Sequence, residues 1–233
     1  VLSLQEAFSF EYKNLIRTLQ EQYGYTYTTQ MLDNPQVNLF SGGVILLSRF
    51  PIVNEAQYFF PDCTGTDCLA DKGINYMEII KNGRAYHIFS AHTASFDNAT
   101  ARQNRLKQFQ QMSDFAQSFN IPKNETVIYG GDFNVNKELF PDDYQQMLTT
   151  LNASEPQYKG YSAATFDPFI NKHATAFGSG SERIEYLDYI LVSNQYAAPN
   201  SVINTVRIPR STDAALWRLW DLSDHFPVEA VIE

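Results

Sequence analysis

Two short polar clusters, each next to an apolar run, contain the residue types best suited to chemistry. Gly-Gly-Asp-Phe-Asn at 130–134 follows the strand-like run 126–129, and Ser-Asp-His-Phe-Pro at 223–227 precedes the strand-like run 228–232. The end of a strand can hold a carboxylate, an amide or an imidazole in fixed geometry and leave it reachable from a cleft. We therefore interpret the two clusters as parts of the floor of a hydrolytic site.

Asp132 and Asn134 lie two positions apart in the first cluster, beside two glycines. If strand geometry continues to Asn134, both side chains point to the same face of the sheet. The alternative is an Asx turn, in which the aspartate side chain bonds to the backbone two residues on. The glycines permit both arrangements because they relieve backbone crowding.

Asp188 lies within the apolar run 186–192, whose pattern predicts a buried central strand. A buried, ionised carboxylate is costly unless a cation or hydrogen-bond donors pair with it. One candidate partner is an imidazole that the carboxylate orients. The alternative is a structural salt bridge to Arg183 or Arg207.

Glu6 follows the strand-like segment 1–5. It is either a site carboxylate at another strand end or an acid near a helix start, where Ser9 is a candidate cap.

Histidine is scarce, with four in the chain. His92 and His225 adjoin strand-like runs, whereas His87 lies within one and His173 in a polar loop. Any single histidine more often has a structural role, but here carboxylates, an amide and two histidines recur together at strand ends. Carboxylates with an amide suit a hard divalent cation such as Mg²⁺. Two histidines can divide base and electrostatic duties around a phosphoryl centre.

The composition is that of a globular chain. Its 233 residues are 44% hydrophobic, enough to bury one sizeable core, and we expect a single domain over 1–233. The formal net charge of −9 argues against nonspecific nucleic-acid binding, which needs clustered Lys and Arg. It does not exclude a nuclease, because a bound metal supplies local positive charge. No apolar run approaches the roughly 18 residues that a membrane span needs.

Strand-like and helical patterns alternate along the chain, which indicates a layered α/β (or α+β) architecture. The helices are predicted near 11–21, 99–119 and 142–151. The strands are predicted near 43–48, 73–80, 85–91, 126–130, 185–192 and 227–232.

The two cysteines, Cys63 and Cys68, lie close together with no further ligands that would complete a zinc site. A local disulfide is favoured over two free thiols and would imply an oxidising compartment. Three sequons, at Asn98, Asn124 and Asn152, are compatible with secretion.

The order of these residues resembles the endonuclease/exonuclease/phosphatase superfamily of metal-dependent phosphodiesterases. The matching positions are 4–6, His92, 131–134, 187–189 and 223–225. Within it, the chain is similar to the neutral, secreted bacterial-type sphingomyelinase C family. That similarity rests on the segments 42–48, 67–73, 130–137, 185–190 and 223–230.

The resemblance implies a four-layer α/β sandwich, two packed mixed sheets flanked by helices. It implies Mg²⁺-dependent hydrolysis of sphingomyelin to ceramide and phosphocholine, with other divalent cations possible. It further implies a secreted monomer that contacts membranes peripherally and binds no nucleic acid. The alternatives are a nuclease or phosphoinositide phosphatase of the same superfamily, or a lipid-binding relative with impaired catalysis.

The resemblance also assigns roles to individual residues. Glu6 would be the metal ligand. His225, oriented by Asp188, would be the general base that activates water, and Asp132 would position that water.

Three further residues take supporting roles in the same resemblance. Asn134 and His92 would contact the phosphate, and Asp224 would support the site. The family also carries an asparagine on a strand before the one that bears the glutamate. Because the sequence begins after that point, we expect the first strand to be missing and the domain to be incomplete at its N-terminus.

Trp217 and Trp220 lie where the family has an exposed aromatic hairpin. Tryptophan suits the bilayer interface, since its body is apolar and its ring carries one N–H donor. The alternative is that both rings pack in the core. The segment 58–61, Tyr-Phe-Phe-Pro, is a second and weaker candidate for membrane contact.

Overall fold

The structure is a computed structural model that describes residues 1–8, 12–34, 39–177, 182–213 and 220–233. The strands β1 to β11 span, in order, Leu2–Leu4, Tyr27–Thr28, Ile45–Ser48, Ile52–Phe59, Gly73–Lys81, Arg84–His92, Thr126–Asp132, Gln157–Gly160, Asp188–Val192, Val202–Val206 and Val228–Ile232. The helices α1 to α4 span Tyr12–Tyr23, Ala99–Ser118, Pro141–Thr150 and Lys172–Phe177, and a 3-10 helix covers Gly65–Leu69.

A five-stranded mixed sheet with the order β4-β5-β6-β7-β9 forms the centre of the fold. Only β6 and β7 run parallel; the other pairs are antiparallel. The register places His92 of β6 opposite Asp132 of β7, and Asp132 opposite Asp188 of β9. Three candidate site residues from distant parts of the sequence therefore lie side by side at one end of this sheet.

One face of the five-stranded sheet packs against α2 and α3. Helix α2 begins at the cap residue Asn98, whose side chain accepts a hydrogen bond from the Ala101 N–H. Alternation along the strands sends every second side chain to this face. The buried cluster includes Tyr76, Phe89, Tyr129 and Tyr189 from the sheet and Phe109, Met112, Tyr144 and Met147 from the helices.

The second layer of strands consists of two separate three-stranded sheets, β1-β3-β2 and β11-β10-β8. Leu46 of β3 packs against Met77, Ile79 and Ile88 on the five-stranded sheet. Sheets on one side and helices on the other make the described architecture a layered α/β sandwich, as the sequence predicted.

Strand β9 differs from its predicted position. The sequence predicts a central strand, but in the described residues β9 pairs only with β7 and forms an edge of the five-stranded sheet. Its apolar character on both faces has another cause: Tyr189 meets Tyr144 of α3 on one side, and β10 and β11 approach it as well. Coverage of both faces, and not a central place in the sheet, explains the pattern.

The predicted local disulfide between Cys63 and Cys68 is present. No helix in the described part of the chain is both long and apolar enough to cross a membrane.

Candidate active site

His225 extends the row of side chains at the end of the five-stranded sheet. Its Nδ1 lies 2.8 Å from Oδ2 of Asp188. One ligand atom each from Asp132, Asp188 and His225 lies within 4.8 Å of the other two. The segment before β11 holds His225 in place, since the next residue, Phe226, donates its N–H to the Thr165 carbonyl at 2.6 Å.

The partner of Asp188 is thus an imidazole, one of the two partners that the sequence left open. The two arginines considered as alternatives pair elsewhere: Arg183 lies 3.7 Å from Asp97, and Arg207 lies 2.8 Å from Glu229. An aspartate that accepts from Nδ1 fixes the ring orientation and leaves Nε2 available for chemistry.

Charge at the site favours a proton on His225. Burial lowers the pKa of His225, but the carboxylates of Asp188, Asp132 and Asp224 outweigh it and raise the pKa to about 10. Burial, and then the charge of Asp188, raise the pKa of Asp132 to about 7. The surrounding carboxylates therefore stabilise the imidazolium that forms when His225 takes a proton.

His92 lies on the other side of Asp132 and is buried. Its Nε2 is 3.6 Å from Asp132 Oδ2 and 3.8 Å from Glu6 Oε1. Burial, followed by the charges of Lys72 and His225, holds the pKa of His92 well below its usual value. A neutral ring can accept a hydrogen bond from the ammonium of Lys72, whose Nζ is 3.1 Å from Nε2.

Lys72 is the residue at the site to which the sequence analysis gave no role. Its ammonium donates to the Thr93 carbonyl at 2.7 Å and to Ser95 Oγ at 2.5 Å, and it lies 3.0 Å from Asp67 Oδ1. Burial lowers the pKa of Lys72, against the opposing effect of Asp67. The available signal was a lysine directly before the apolar strand β5, within the segment 67–73 that carried the family resemblance.

Asp132 and Asn134 form the Asx turn that the sequence left as the alternative. The N–H of Asn134 donates to Asp132 Oδ1 at 2.9 Å, and Asn134 has a left-handed φ of 49°. Strand geometry ends at Asp132, so alternation does not place the two side chains on one face. Gly131 lets the backbone of β7 lie close to the Ala91 carbonyl of β6, because a Cβ at position 131 would collide with that carbonyl.

Glu6 lies two residues after β1, with a left-handed φ of 55° and a side chain that is 57% exposed. It lies outside α1, and its candidate cap Ser9 falls outside the described residues. Partial burial in the cleft and the nearby carboxylate of Asp224 raise the pKa of Glu6. Two carboxylates that repel each other at an open rim are a donor set that suits a hard divalent cation.

The predicted membrane-contact residues have mixed outcomes. Trp217 lies outside the described residues, and Trp220 is half-buried with Arg210 stacked 6.0 Å from its ring. In the segment 58–61, the second candidate for membrane contact, the Tyr58 ring packs against Phe115 with 5.5 Å between ring centres. Tyr58 therefore faces the protein core.

Other apolar side chains are exposed near the site. Phe169 is 65% exposed and Leu222 is 62% exposed. Asn171 joins their two loops through hydrogen bonds to the carbonyls of Ser223 and Asp224 at 2.8 and 3.0 Å. The sequence does not distinguish them from core residues, since hydrophobicity alone does not report exposure.

The sequence model of the endonuclease/exonuclease/phosphatase family matches residues 1–225. The chain therefore belongs to this family. Within it, a sphingomyelinase C of Bacillus cereus is 35% identical over 242 residues, covering 95% of this chain and 70% of the relative. A sphingomyelinase C of Listeria ivanovii is 38% identical over 201 residues, covering 82% and 59%. These matches place the chain in the bacterial sphingomyelinase C branch.

Solved structures agree with this placement. A beta toxin variant of Staphylococcus aureus with bound magnesium ions has a TM-score of 0.87 and 30% identity, covering 99% of this chain and 86% of that one.

Proposed function

We propose that the chain is a Mg²⁺-dependent phosphodiesterase that hydrolyses sphingomyelin to ceramide and phosphocholine. The observation that carries the proposal is the row of His92, Asp132, Asp188 and His225 at one end of the sheet. The names of the sphingomyelinase C relatives supply the substrate class.

His225 in its neutral form is the general base; a cation held by Glu6 would offset the carboxylates that raise its pKa and so favour that form. Asp188 holds its Nδ1 side, so Nε2 can take a proton from the attacking water. Asp132, whose Oδ1 is held by the Asn134 N–H, accepts from the same water through its other oxygen and so positions it. The water oxygen forms a bond to phosphorus, the bond from phosphorus to the ceramide oxygen breaks, and the ceramide alkoxide takes a proton from solvent, to which His225 later returns the proton it accepted.

His92 and Asn134 contact the phosphate oxygens. His92 donates to the phosphate in the tautomer that carries its proton on Nε2, the nitrogen that faces Asp132 and Glu6. Lys72, whose Nζ lies 3.1 Å from that nitrogen, brings positive charge close to the developing phosphoryl charge. Lys72 thereby adds electrostatic stabilisation.

Glu6 would hold the divalent cation, with Asp224 supporting the site from the opposite loop. When bound, such a cation neutralises charge on the phosphoryl group and on the departing alkoxide. The fit rests on the two carboxylates at the rim, and the magnesium ions in the beta toxin variant support the choice of metal.

The protein would act outside the cell as a monomer that touches the membrane peripherally. Phe169 and Leu222 are exposed beside the loop that carries His225, and Trp220 lies in the same loop. Apolar side chains at this rim can enter the bilayer interface while the headgroup reaches the site. The net charge of −9 supports a lipid substrate over nucleic acid.

The deciding experiment measures phosphocholine release from sphingomyelin liposomes with Mg²⁺ or with EDTA. Phosphatidylcholine liposomes and DNA serve as competing substrates. We expect activity with Mg²⁺ on sphingomyelin and a loss on the order of 10³-fold in His225→Ala. Hydrolysis of DNA alone would favour a nuclease, and lipid binding without any hydrolysis would favour a relative with impaired catalysis.

A further inference from the structure

The Cys63–Cys68 disulfide closes a tight turn around Asp67. The turn contains the 3-10 helix Gly65–Leu69, in which Asp67 is buried although Cys63 is exposed. The backbone bonds of the turn are long, at 3.3 Å from Asp67 N–H to the Thr64 carbonyl and 3.3 Å from Ala70 N–H to the Asp67 carbonyl. A side-chain bond of 2.8 Å from Asn104 to Thr64 anchors its first half. The covalent bridge therefore closes a turn whose own backbone hydrogen bonds are weak.

Both carboxylate oxygens of Asp67 point toward the active site. Oδ2 accepts from the Ser95 N–H at 2.9 Å, and Oδ1 accepts from Ser95 Oγ and lies 3.0 Å from Lys72 Nζ. Lys72 in turn lies 3.1 Å from Nε2 of His92. Two polar side chains thus connect the disulfide turn to a histidine of the site.

The disulfide is also reachable from solvent. Both cysteines line a cleft of about 310 Å³ together with Asp67 and Lys72. A small dithiol can enter such a space, and a buried bridge would be protected from it.

We propose that the Cys63–Cys68 disulfide is a positioning element for the active site, acting through Asp67 and Lys72 on His92. With the bridge intact, Asp67 holds the ammonium of Lys72 against the His92 ring. Without it, the turn relaxes, the carboxylate withdraws, and Lys72 moves toward other acids of the site, Asp132 and Glu6. The activity readout of this inference rests on the proposed function; the position of Lys72 does not.

The bridge can be opened chemically as well as by mutation. The thiolate of a dithiol reductant attacks one sulfur and forms a mixed disulfide with it. The second thiol of the reductant then displaces that cysteine, which leaves two cysteine thiols and a cyclic disulfide of the reductant. Two electrons and two protons pass to the protein, and reoxidation restores the bridge.

The test compares Cys63→Ala/Cys68→Ala, Asp67→Asn and the triple variant, with Thr66→Ala as the control in the same turn. Thr66 is exposed, and we expect wild-type behaviour from its variant. The kcat and KM are measured on a water-soluble phosphocholine diester with Mg²⁺, beside the melting temperature. We expect kcat to fall about tenfold to hundredfold in the double variant and in Asp67→Asn, with KM changed less than about twofold. Because the disulfide and Asp67 act on His92 through the same contacts, the kcat of the triple variant should be no lower than that of the double cysteine variant.

A second readout does not depend on catalysis. The ring resonances of His92 are followed by NMR with and without the bridge, and in wild-type protein before and after dithiol reduction. A shift that reoxidation reverses is expected. Wild-type His92 resonances in the bridge-free protein, or fully additive losses of kcat, would overturn the proposal. If the wild type cleaves no phosphodiester, the proposed function fails, and the His92 shift still decides the role of the bridge.

Discussion

Asp188 and His225 are 37 positions apart in sequence, yet they form the 2.8 Å contact on which the proposed base depends. The carboxylate does two things at once: it orients the ring and stabilises the imidazolium that follows proton transfer. Neither effect needs Asp188 to exchange a proton. Its charge and its position are what matter.

Replacing Asp188 by Asn should therefore reduce kcat on the order of 10³-fold or more, because the amide removes the charge and permits the wrong ring tautomer. The measurement is steady-state hydrolysis of sphingomyelin, with the fold checked by circular dichroism. Arg207→Ala is a matched control, since it breaks only an exposed pair with Glu229. A folded Asp188→Asn variant with nearly full activity would rule out the orienting role.

The types of the site residues were readable from the sequence, but several contacts were not. Asp132, Asn134, Asp188 and His225 were identified by their place beside apolar runs. Whether Asp132 forms an Asx turn depends on where β7 ends, and a difference of two residues there exceeds what an apolar pattern resolves. Lys72 escaped notice because a buried lysine is expected to be rare unless paired, and its partner Asp67 is revealed only by folding.

Three neighbouring strands, β6, β7 and β9, create the site through their register. His92, Asp132 and Asp188 are consecutive partners across them. A register slip of one residue would turn each side chain to the opposite face of the sheet. The close approach of Gly131 to the Ala91 carbonyl helps to specify this register, because no other residue fits there.

Gly131→Ala should consequently destabilise the protein by roughly 3 kcal/mol and abolish activity, through both the collision and a φ of 133°. Urea unfolding followed by fluorescence gives the free energy. Gly24→Ala separates the two causes, since Gly24 has a φ of 72° but nothing within 4 Å of an added Cβ. The control should lose only about 1–2 kcal/mol, and equal losses in both variants would show that the contact with Ala91 is unimportant.

At the level of elements, the longest periodic segments were the most predictable. Helix α2 begins where its pattern predicts, because its cap and its apolar positions agree. Strands β2, β4, β8 and β10 were not predicted: β2, β8 and β10 are short, and β4, although eight residues long, has no fully buried side chain. The central placement of β9 was wrong because an apolar run records burial of both faces, which layers above and below can provide as well as neighbouring strands.

Across the whole molecule, exposed apolar side chains occur at the end that bears the site. Phe169 and Leu222 flank the loop of His225, and Asn171 couples their loops. An apolar rim helps an enzyme to reach a substrate that lies in a membrane. A soluble diester reaches the site without it.

The variant Phe169→Ala/Leu222→Ala should thus lower hydrolysis in sphingomyelin liposomes about tenfold, corresponding to roughly 1.4 kcal/mol of lost interfacial burial. Hydrolysis of a soluble phosphocholine diester should be unchanged. Val53→Ala is the matched control, because Val53 is an exposed apolar residue near the opposite end of the five-stranded sheet. Equal losses on both substrates would assign these side chains to folding.

The acidic balance of the molecule, −9 overall, makes the stability of the fold sensitive to a bound cation. Glu6 and Asp224 repel each other at the rim, so a divalent ion held by Glu6 would relieve a cost that the folded state otherwise carries. At a concentration ten times the dissociation constant, Mg²⁺ should add about 1.4 kcal/mol. For a chain of this size that corresponds to roughly 3–6 °C in melting temperature.

Differential scanning fluorimetry with Mg²⁺, with EDTA, and with NaCl at matched ionic strength measures this effect. We expect the Mg²⁺ shift to disappear in Glu6→Gln, which also starts with a higher melting temperature in EDTA because one repelling charge is gone. Glu229→Gln is the control, since its carboxylate pairs with Arg207 on the surface and should leave the shift intact. An undiminished shift in Glu6→Gln would place the cation elsewhere, and an equal shift with NaCl would reduce the effect to screening of the net charge.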